Sequence, residues 1–279
     1  MPGDDYRTAS HRIWEEMAAA WEGHRRRVWD ASRGVGEWMV DALDPQPGET
    51  LLELAAGVGD TGFAAASRLG AEGRLITTDF SQAMVDAARR RAEELGVPNA
   101  EFRTLDAERM DLGDGSIDGV LCRWGYMLMA DPGVALAETR RVLGDGGRVA
   151  LSVWGDPEQN PWASIPARAL LEQTGADRPD PFAPGIFAMA SEERARGLLG
   201  AARLEPQRVE NVEMAWRFES FADYWHHLTN VKGAIAMVVR SLPQSEQDAL
   251  GEEIEGRLQP YADGGGYRLP GMCLNVLAT

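Results

Sequence analysis

The sequence predicts an α/β protein with a doubly wound, mostly parallel sheet of seven strands. Two observations support this fold class. Between Thr50 and Trp154, apolar runs of strand length alternate with helical segments, which is typical of a parallel sheet with right-handed crossovers. A glycine-rich turn, Gly57 to Gly62, then joins the first strand to the first helix of this region. We predict three parts: residues 1–45 form a helical lid, 46–154 the central core, and 155–279 the rest of the sheet with a helical insert before the last strand.

Each element is predicted from hydrophobic spacing and from turn residues. The predicted strands are Leu51–Leu54, Arg74–Thr78, Ala100–Leu105, Ile117–Cys122, Arg148–Trp154, Pro206–Phe218 and Tyr267–Leu277. The predicted helices are Thr61–Leu69, Gln82–Leu95, Pro132–Leu143, Trp162–Gln173, Ser191–Ala202, Phe221–Leu228, Lys232–Ser241 and Gln244–Leu258. Residues 1–45 read as one or two amphipathic helices rich in tryptophan. They either pack onto the core or cover a ligand, and the sequence leaves both roles open.

Composition excludes several classes of partner. The 279 residues carry a net charge of −16, which repels phosphate backbones and argues against a nucleic-acid ligand. No apolar run approaches the ~18 residues needed to span a bilayer. The first residues lack a basic stretch followed by an apolar one, so we expect a cytoplasmic protein. Cys122 and Cys273 stand in apolar surroundings and are expected to be buried thiols, and no metal site is predicted.

The glycine motif alone is ambiguous. Gly57-Val-Gly-Asp-Thr-Gly62 matches G-x-G-x-x-G, and Asp79 follows at about the ~20-residue offset of a ribose-binding acid, which fits an NAD-dependent oxidoreductase. Two other acids argue against that interpretation. Glu53 lies inside the first strand, where a pyrophosphate would repel it and an amino group would be attracted. Asp106 follows the third strand, where it can accept a hydrogen bond from an exocyclic amine.

Four motifs in order resemble one family. They are Glu53-Leu-Ala-Ala-Gly-Val-Gly59, Asp79-Phe-Ser-Gln-Ala-Met84, Leu105-Asp-Ala-Glu108 and Arg141-Val-Leu-Gly-Asp-Gly-Gly147. Together they resemble the class I S-adenosylmethionine-dependent methyltransferases, especially the branch of ubiquinone and menaquinone biosynthesis enzymes. The resemblance covers about residues 50–154 and implies the Rossmann-like methyltransferase fold. Ala55, Ala56 and Asp145 depart mildly from the family pattern.

The resemblance implies S-adenosylmethionine as cofactor, S-adenosylhomocysteine as product and no metal. Glu53 would lie near the amino group of the methionine part, and Asp79 would accept both ribose hydroxyls. Asp106 would bind the adenine amine, and the carbonyl of Arg123 would lie under the sulfonium. The other implied cofactor contacts are Ala55, Gly57, Gly59, Phe80, Met84 and Ala107.

The acceptor side carries fewer signals, and no general base is evident. His226 and His227, in the insert before the last strand, and Tyr126, just past the fourth strand, are the candidate catalytic residues. Aromatic side chains near the predicted site indicate a flat or apolar small-molecule acceptor. The candidate acceptor-binding residues are Trp29, Trp124, Tyr126, Trp154 and Trp225.

The resulting hypothesis is methyl transfer to a small molecule, at oxygen in preference to carbon or nitrogen, driven by proximity and exclusion of water. Two alternatives stay open on the sequence alone. One is the NAD-dependent oxidoreductase, and the other is a non-catalytic module that binds S-adenosylmethionine or its product. A homodimer is compatible with the sequence.

Overall fold

The computed structural model describes residues 2–231 and 233–279. Their strands form one sheet in the order β3-β2-β1-β4-β5-β8-β6, and a short β7 pairs with the start of β8. The strands are β1 (Thr50–Glu53), β2 (Arg74–Asp79), β3 (Ala100–Thr104), β4 (Ile117–Arg123), β5 (Leu143–Trp154), β6 (Pro206–Phe218), β7 (Ala262–Asp263) and β8 (Gly266–Ala278). The helices are α1 (Pro2–Leu43), α2 (Asp60–Ala66), α3 (Gln82–Leu95), α4 (Pro132–Val142), α5 (Pro161–Thr174), α6 (Glu192–Ala201), α7 (Phe221–Val231), α8 (Ala234–Ser241) and α9 (Gln244–Leu258).

The sheet is parallel from β3 to β5, and β8 runs antiparallel between β5 and β6. This topology confirms the predicted doubly wound fold. The chain order reverses between β1 and β4, and open α/β sheets bind ligands beyond the carboxyl ends of the strands at such a point. We call the region where β1, β2, β3 and β4 end the carboxyl edge.

Helix α1 packs against many other elements of the fold. Its second half buries Val35, Met39 and Leu43 against the core, and the helix contacts α2, α3, β4, β5, β6 and β8. At its end, the guanidinium of Arg148 donates to the carbonyls of Leu43 and Asp44. Because cationic donors satisfy the open carbonyls of a helix end, Arg148 fixes α1 to the amino end of the sheet.

The structure differs from the predicted boundaries in a few places. Residues 2–43, for which one or two helices were expected, form a single helix. Strand β5 begins at Leu143, five residues earlier than predicted, because Leu143 pairs with Ile117 before the register shifts. The short β7 was not predicted; it forms because Gly264 and Gly265, both with positive φ, reverse the chain before β8. The predicted start of a helix at Lys232 lies outside the described residues.

Two predictions about composition are tested directly. Cys122 and Cys273 are free and buried, as expected, and burial raises the pKa of each thiol to about 12. Among the described helices, none is both long enough and apolar enough to cross a membrane.

Candidate active site

The glycine turn after β1 leaves open space at the carboxyl edge. Ala55, Gly57 and Gly59 all have positive φ, at 49°, 57° and 82°. A Cβ at Gly57 would meet no atom within 4 Å, so the space beside this residue is open. Glycine adopts this backbone conformation without strain, whereas Ala55 does so at a cost. Open space over a turn of this kind lets a ligand approach the backbone closely.

Glu53 is buried directly beneath this turn. Its Oε1 accepts a hydrogen bond of 2.7 Å from the amide of Gly62, and its Oε2 has no hydrogen-bond partner among the described residues. The carboxyl group fits here only because residue 62 is glycine, since a Cβ there would lie 2.2 Å from Oε2. Burial raises the pKa of Glu53 to about 8. Glu53 therefore holds a proton at neutral pH and has one oxygen available to a ligand.

The raised pKa of Glu53 predicts how stability depends on pH. Between pH 4.5 and about 8 the folded protein keeps a proton on Glu53 that the unfolded chain releases, so stability falls as pH rises through this range. We expect wild type to lose stability relative to Glu53→Gln as pH rises from 4.5 to 8, with a constant difference above pH 8. Denaturant unfolding at a series of pH values measures this difference.

Glu138→Gln is a control in which the pH dependence of stability runs in the opposite direction, because hydrogen bonding to Arg141 lowers the pKa of Glu138. The stability that Glu138 contributes is present above the unfolded pKa and is lost as pH falls. A difference between wild type and Glu53→Gln that does not change between pH 4.5 and 8 would contradict the assignment of a protonated Glu53.

Asp79 ends β2 beside the same turn. Its Oδ2 accepts a bond of 2.9 Å from the amide of Gly57, and its Oδ1 accepts one of 3.0 Å from the amide of Ser81. The residue is 9% exposed, and burial raises the pKa of this carboxyl above its ordinary value. Each oxygen retains a lone pair. The carboxylate is therefore fixed in orientation and can still accept hydrogen bonds from a ligand.

A third acid follows the end of β3. Asp106 is half-buried, and its Oδ1 accepts a bond of 2.9 Å from the amide of Glu108. Met84 and Ala107 are buried. Phe80 is half-buried, and its ring meets the ring of His11 edge-on, with the ring centroids 5.1 Å apart. The structure thus places the predicted acids, Phe80 and Ala107 at or just after the ends of neighbouring strands, and Met84 in the first turn of α3.

The first half of α1 lies over this edge. The hydroxyl of Tyr6 donates to the carbonyl of Leu128 at 2.8 Å, and Arg7 forms an ion pair with buried Glu108. Glu15 accepts a bond of 3.3 Å from the amide of Ala83, at the start of α3. These contacts bring α1 from the core across the ends of β2, β3 and β4.

Arg123 and Trp124 lie at the end of β4. The Nε of Arg123 donates to Oγ1 of Thr61 at 2.9 Å, and its Nη1 donates to Oγ of Ser32 at 3.0 Å. Trp124 has a φ of 64°, a strained value for a bulky side chain, and its ring lies 4.5 Å from the Arg123 guanidinium carbon. Strain of this kind tends to cluster at functional sites.

Four tryptophans are buried together beyond the ends of β4 and β5. Trp124 and Trp154 stack with their centroids 4.3 Å apart and their planes at 22°. Trp162 lies 4.5 Å from Trp154 and 5.6 Å from Trp216. We call these four residues the tryptophan cluster. All four side chains are between 2% and 7% exposed, so the cluster is a packed apolar core beside the end of β4.

Comparison with known proteins supports the same interpretation. A family model described as a methyltransferase domain matches residues 51–147. The ubiquinone/menaquinone biosynthesis C-methyltransferase of Acidiphilium cryptum is 30% identical over 183 residues, covering 62% of this chain and 73% of that protein.

The chain belongs to the S-adenosylmethionine-dependent methyltransferases.

Two further similarities accompany this assignment. The nocamycin O-methyltransferase of Saccharothrix syringae is 32% identical over 62% of each chain. A solved structure of a SAM-dependent methyltransferase from Aquifex aeolicus shares the fold, with a TM-score of 0.54, 16% identity and coverage of 92% of this chain and 97% of that one. The chain spans between 37% and 89% of the length of the curated relatives it matches. Membership in this family sets aside the NAD-dependent alternative.

The carboxyl edge of this methyltransferase fits the family's cofactor. Open space beside Gly57 admits a ligand over the turn. The unpartnered oxygen of Glu53 can accept from a cationic amino group, because a positive charge beside the carboxyl favours its ionised form. The oriented carboxylate of Asp79 matches a ribose diol. Within residues 2–231 and 233–279, no group of three or more His, Cys, Asp or Glu side chains is arranged to hold a metal ion.

The structure argues against Tyr126 as a base or an acceptor contact of this methyltransferase. Its side chain is fully buried, and its hydroxyl lies 2.6 Å from Oγ1 of Thr139 on α4. Burial raises the pKa of Tyr126 well above the ordinary value of a phenol. The hydroxyl is therefore not exposed at the carboxyl edge, and a catalytic or acceptor-binding role for Tyr126 stays a prediction that this burial disfavours.

The two predicted catalytic histidines occupy different environments. His227 is fully buried, with its ring 5.3 Å from Trp216 and 5.4 Å from Phe218. His226 is exposed and packs edge-on against His24 of α1 at 5.4 Å. Only His227 therefore adjoins the tryptophan cluster, and a catalytic role for either histidine stays a prediction.

The predicted acceptor-binding tryptophans do not share one surface. Trp124 and Trp154 belong to the tryptophan cluster. Trp225 instead stacks on Phe221 and faces Gly251 of α9. Trp29 lines a groove of about 700 Å³ that runs along α2 and α3. The structure separates these side chains because α1 and the α7–α9 insert each have their own packing partners.

Sequence reasoning missed the two hydroxyls that hold Arg123. Ser32 and Thr61 stand 91 and 62 positions away from Arg123 in the chain. Neither belongs to a motif that suggests such a contact. Only the packing of α1 and α2 over the end of β4 brings them together.

Proposed function

We propose that this methyltransferase transfers the methyl group of S-adenosylmethionine to an oxygen of a small, flat, largely apolar acceptor. The stacked pair Trp124 and Trp154 is the observation that carries the proposal. It lies at the ends of β4 and β5, next to the glycine turn, and a flat ring system packs well on aromatic faces. Both rings are buried, at 7% and 3% exposure, so an acceptor reaches them only when neighbouring side chains move. The relative from Saccharothrix syringae is named an O-methyltransferase, which supports oxygen as the methylated atom.

The proposed cofactor contacts run along the carboxyl edge from β1 to β4. Asp79 binds the ribose hydroxyls and Asp106 the adenine amine, while Glu53 faces the amino group of the methionine part. The remaining proposed contacts are the backbone of Ala55, Gly57, Gly59 and Ala107, the side chains of Phe80 and Met84, and the carbonyl of Arg123. Charged acceptors fixed by backbone amides, as Asp79 is, form strong and oriented hydrogen bonds.

When bound, S-adenosylmethionine supplies a methyl group already activated on a sulfonium. The protein's task is to align the acceptor oxygen with that methyl group and to exclude water. Alignment of this kind contributes on the order of 7–11 kcal/mol to a rate. The contacts of Tyr6, Arg7 and Glu15 support a lid role for the first half of α1, which we propose as the water-excluding element.

We propose an acceptor oxygen that ionises readily, such as that of a phenol, an enol or a carboxylic acid. Tyr126 is committed to Thr139, and His227 is enclosed by aromatic rings. A carboxylic acid is already ionised at neutral pH, and a phenol or enol is far more acidic than an alcohol, so such an acceptor needs no strong base from the protein. An alkyl amine would be cationic at that pH and a poor nucleophile.

Calorimetry and a transfer assay test the proposal. We expect wild type to bind S-adenosylmethionine and S-adenosylhomocysteine and not NAD. Incubation with labelled S-adenosylmethionine and a panel of naphthols, aromatic carboxylic acids and small polar amines should place label on oxygen. Label found only on small polar amines would overturn the acceptor assignment, and failure to bind either adenosyl compound would overturn the cofactor assignment.

A further inference from the structure

The guanidinium of Arg123 donates its hydrogen bonds to neutral groups. Its Nε and Nη1 donate to the hydroxyls of Thr61 and Ser32, and neither bond uses Nη2. One face of the group stacks over Trp124. The planar end of the side chain therefore keeps donors for a further partner, and a guanidinium binds a carboxylate through two parallel bonds.

The charge of Arg123 lacks a dedicated counterion. Among the described residues, no carboxylate oxygen lies within 4.0 Å of its nitrogens. The two acids whose charges act on Arg123 have other partners: Asp60 pairs with Arg91 at 3.2 Å, and Glu53 accepts from the amide of Gly62 at 2.7 Å. Burial lowers the pKa of Arg123 itself, which expresses the cost of removing this charge from water. An anionic ligand would offset that cost.

Position limits what this ligand is. Arg123 ends β4, the strand next to β1, so its guanidinium lies between the glycine turn and the tryptophan cluster. Thr61 is in the first turn of α2, directly after the glycine turn, and its hydroxyl can donate to an anion while it accepts from Arg123. Both the methionine end of the proposed cofactor and the proposed acceptor would reach this point.

We propose that Arg123 and Thr61 form a carboxylate-binding pair at the junction of the cofactor and acceptor sites. This inference rests on the proposed function. The carboxylate belongs either to the methionine part of the cofactor or to the acceptor, and the two sources share the same chemistry. A neutral side chain at position 123 could not supply the charge that either source needs.

The experiment uses matched pairs of probes that differ in one carboxylate. S-Adenosylmethionine and decarboxylated S-adenosylmethionine are titrated calorimetrically into wild type and Arg123→Met. 2-Naphthoate and 2-naphthamide are then titrated into the same proteins saturated with S-adenosylhomocysteine, with quenching of tryptophan fluorescence as the readout. Arg208→Met is the matched control, because Arg208 also stacks on a tryptophan, Trp38 at 4.8 Å, but its side chain is 47% exposed and pairs with Glu210.

The two sources give different results. If the cofactor supplies the carboxylate, Arg123→Met weakens the binding of S-adenosylmethionine about ten-fold or more and leaves the binding of the decarboxylated form unchanged. If the acceptor supplies it, the cofactor pair is unaffected, and wild type prefers naphthoate to naphthamide by about ten-fold or more, a preference that the variant loses. Arg208→Met behaves as wild type in both arms, and Arg123→Lys recovers part of the loss.

The proposal is overturned if Arg123→Met changes neither the affinity of S-adenosylmethionine relative to its decarboxylated form nor the affinity of 2-naphthoate relative to 2-naphthamide. It is also overturned if wild type binds the carboxylate-bearing member of neither pair more tightly. Equal losses for both members of a pair would also overturn it, since they indicate a structural role. Thermal melting of each variant confirms folding before titration. Failure of the proposed function is distinct, because wild type would then bind neither adenosyl compound.

Discussion

Asp79→Ala is expected to weaken binding of S-adenosylmethionine by about 1–3 kcal/mol, because the bound ribose loses a charged acceptor. The substitution also removes the hydrogen bond from the amide of Gly57 to Oδ2, so the glycine turn loses a contact that orients it. Both effects act on the same ligand surface. Calorimetric titration with S-adenosylmethionine and S-adenosylhomocysteine measures the combined loss of affinity. Binding of both compounds should be weakened to a similar extent because they share the ribose.

Asp86→Ala serves as the matched control for Asp79→Ala. Asp86 lies on α3, where it pairs with Arg89 at 2.7 Å, and the side chains of Arg89 and Asp86 are 44% and 43% exposed. We expect cofactor affinity to be unchanged in this variant. If Asp79→Ala bound both adenosyl compounds as tightly as Asp86→Ala does, the assignment of Asp79 to the ribose would be wrong.

Gly62→Ala is expected to lower both stability and cofactor affinity. The new Cβ would lie 2.2 Å from Oε2 and 2.6 Å from the carboxyl carbon of Glu53, so the buried carboxyl must shift. Overpacking of this kind costs about 1–3 kcal/mol of unfolding free energy. Displacement of Glu53 also breaks its bond to the amide of residue 62. Denaturant unfolding and calorimetric titration report the two effects separately.

Two further variants isolate the cause in Gly62→Ala. Gly197→Ala makes the same change within α6, where a Cβ meets no atom within 4 Å, and should raise stability by about 0.5–1 kcal/mol through helix propensity. Glu53→Ala in the Gly62→Ala background removes the overlapping carboxyl and should recover part of the lost stability. A double variant whose loss equals the sum of the two single losses would show that overlap with Glu53 is not the reason.

The pattern of strands and helices between Thr50 and Trp154 was predictable because each segment carries a local signal. A buried strand such as Leu51–Leu54 is continuously apolar except for Glu53, and Ser81 marks the start of α3 by capping Met84. The acids Glu53, Asp79 and Asp106 were predictable as a group for a related reason. Parallel strands end at the same edge, so residues at their carboxyl ends meet in space whatever their separation in sequence.

The acceptor side was harder to predict because it depends on packing between distant segments. Tyr126 stands at the expected end of β4, but the short turn that holds it directs the hydroxyl toward Thr139 rather than toward the edge. Trp29 and Trp225 have the composition of a binding site, and nothing local indicates that one lines a groove beside α2 and the other packs on α9. Long-range contacts such as Arg123 to Ser32 leave no trace in a single sequence.

Because one continuous helix both packs in the core and covers the carboxyl edge, any entry route that passes beneath it needs a place where that helix can bend or fray. Gly23 offers such a place: it is exposed, a Cβ there would touch nothing, and it lies between the residues near the edge and the buried Val28. Glycine weakens a helix interior by about 0.5–1 kcal/mol relative to alanine. Fraying of α1 before Gly23 would uncover the carboxyl edge, while the half of the helix after Gly23 stays packed in the core. Ligand exchange and core stability can therefore be separate properties of one helix.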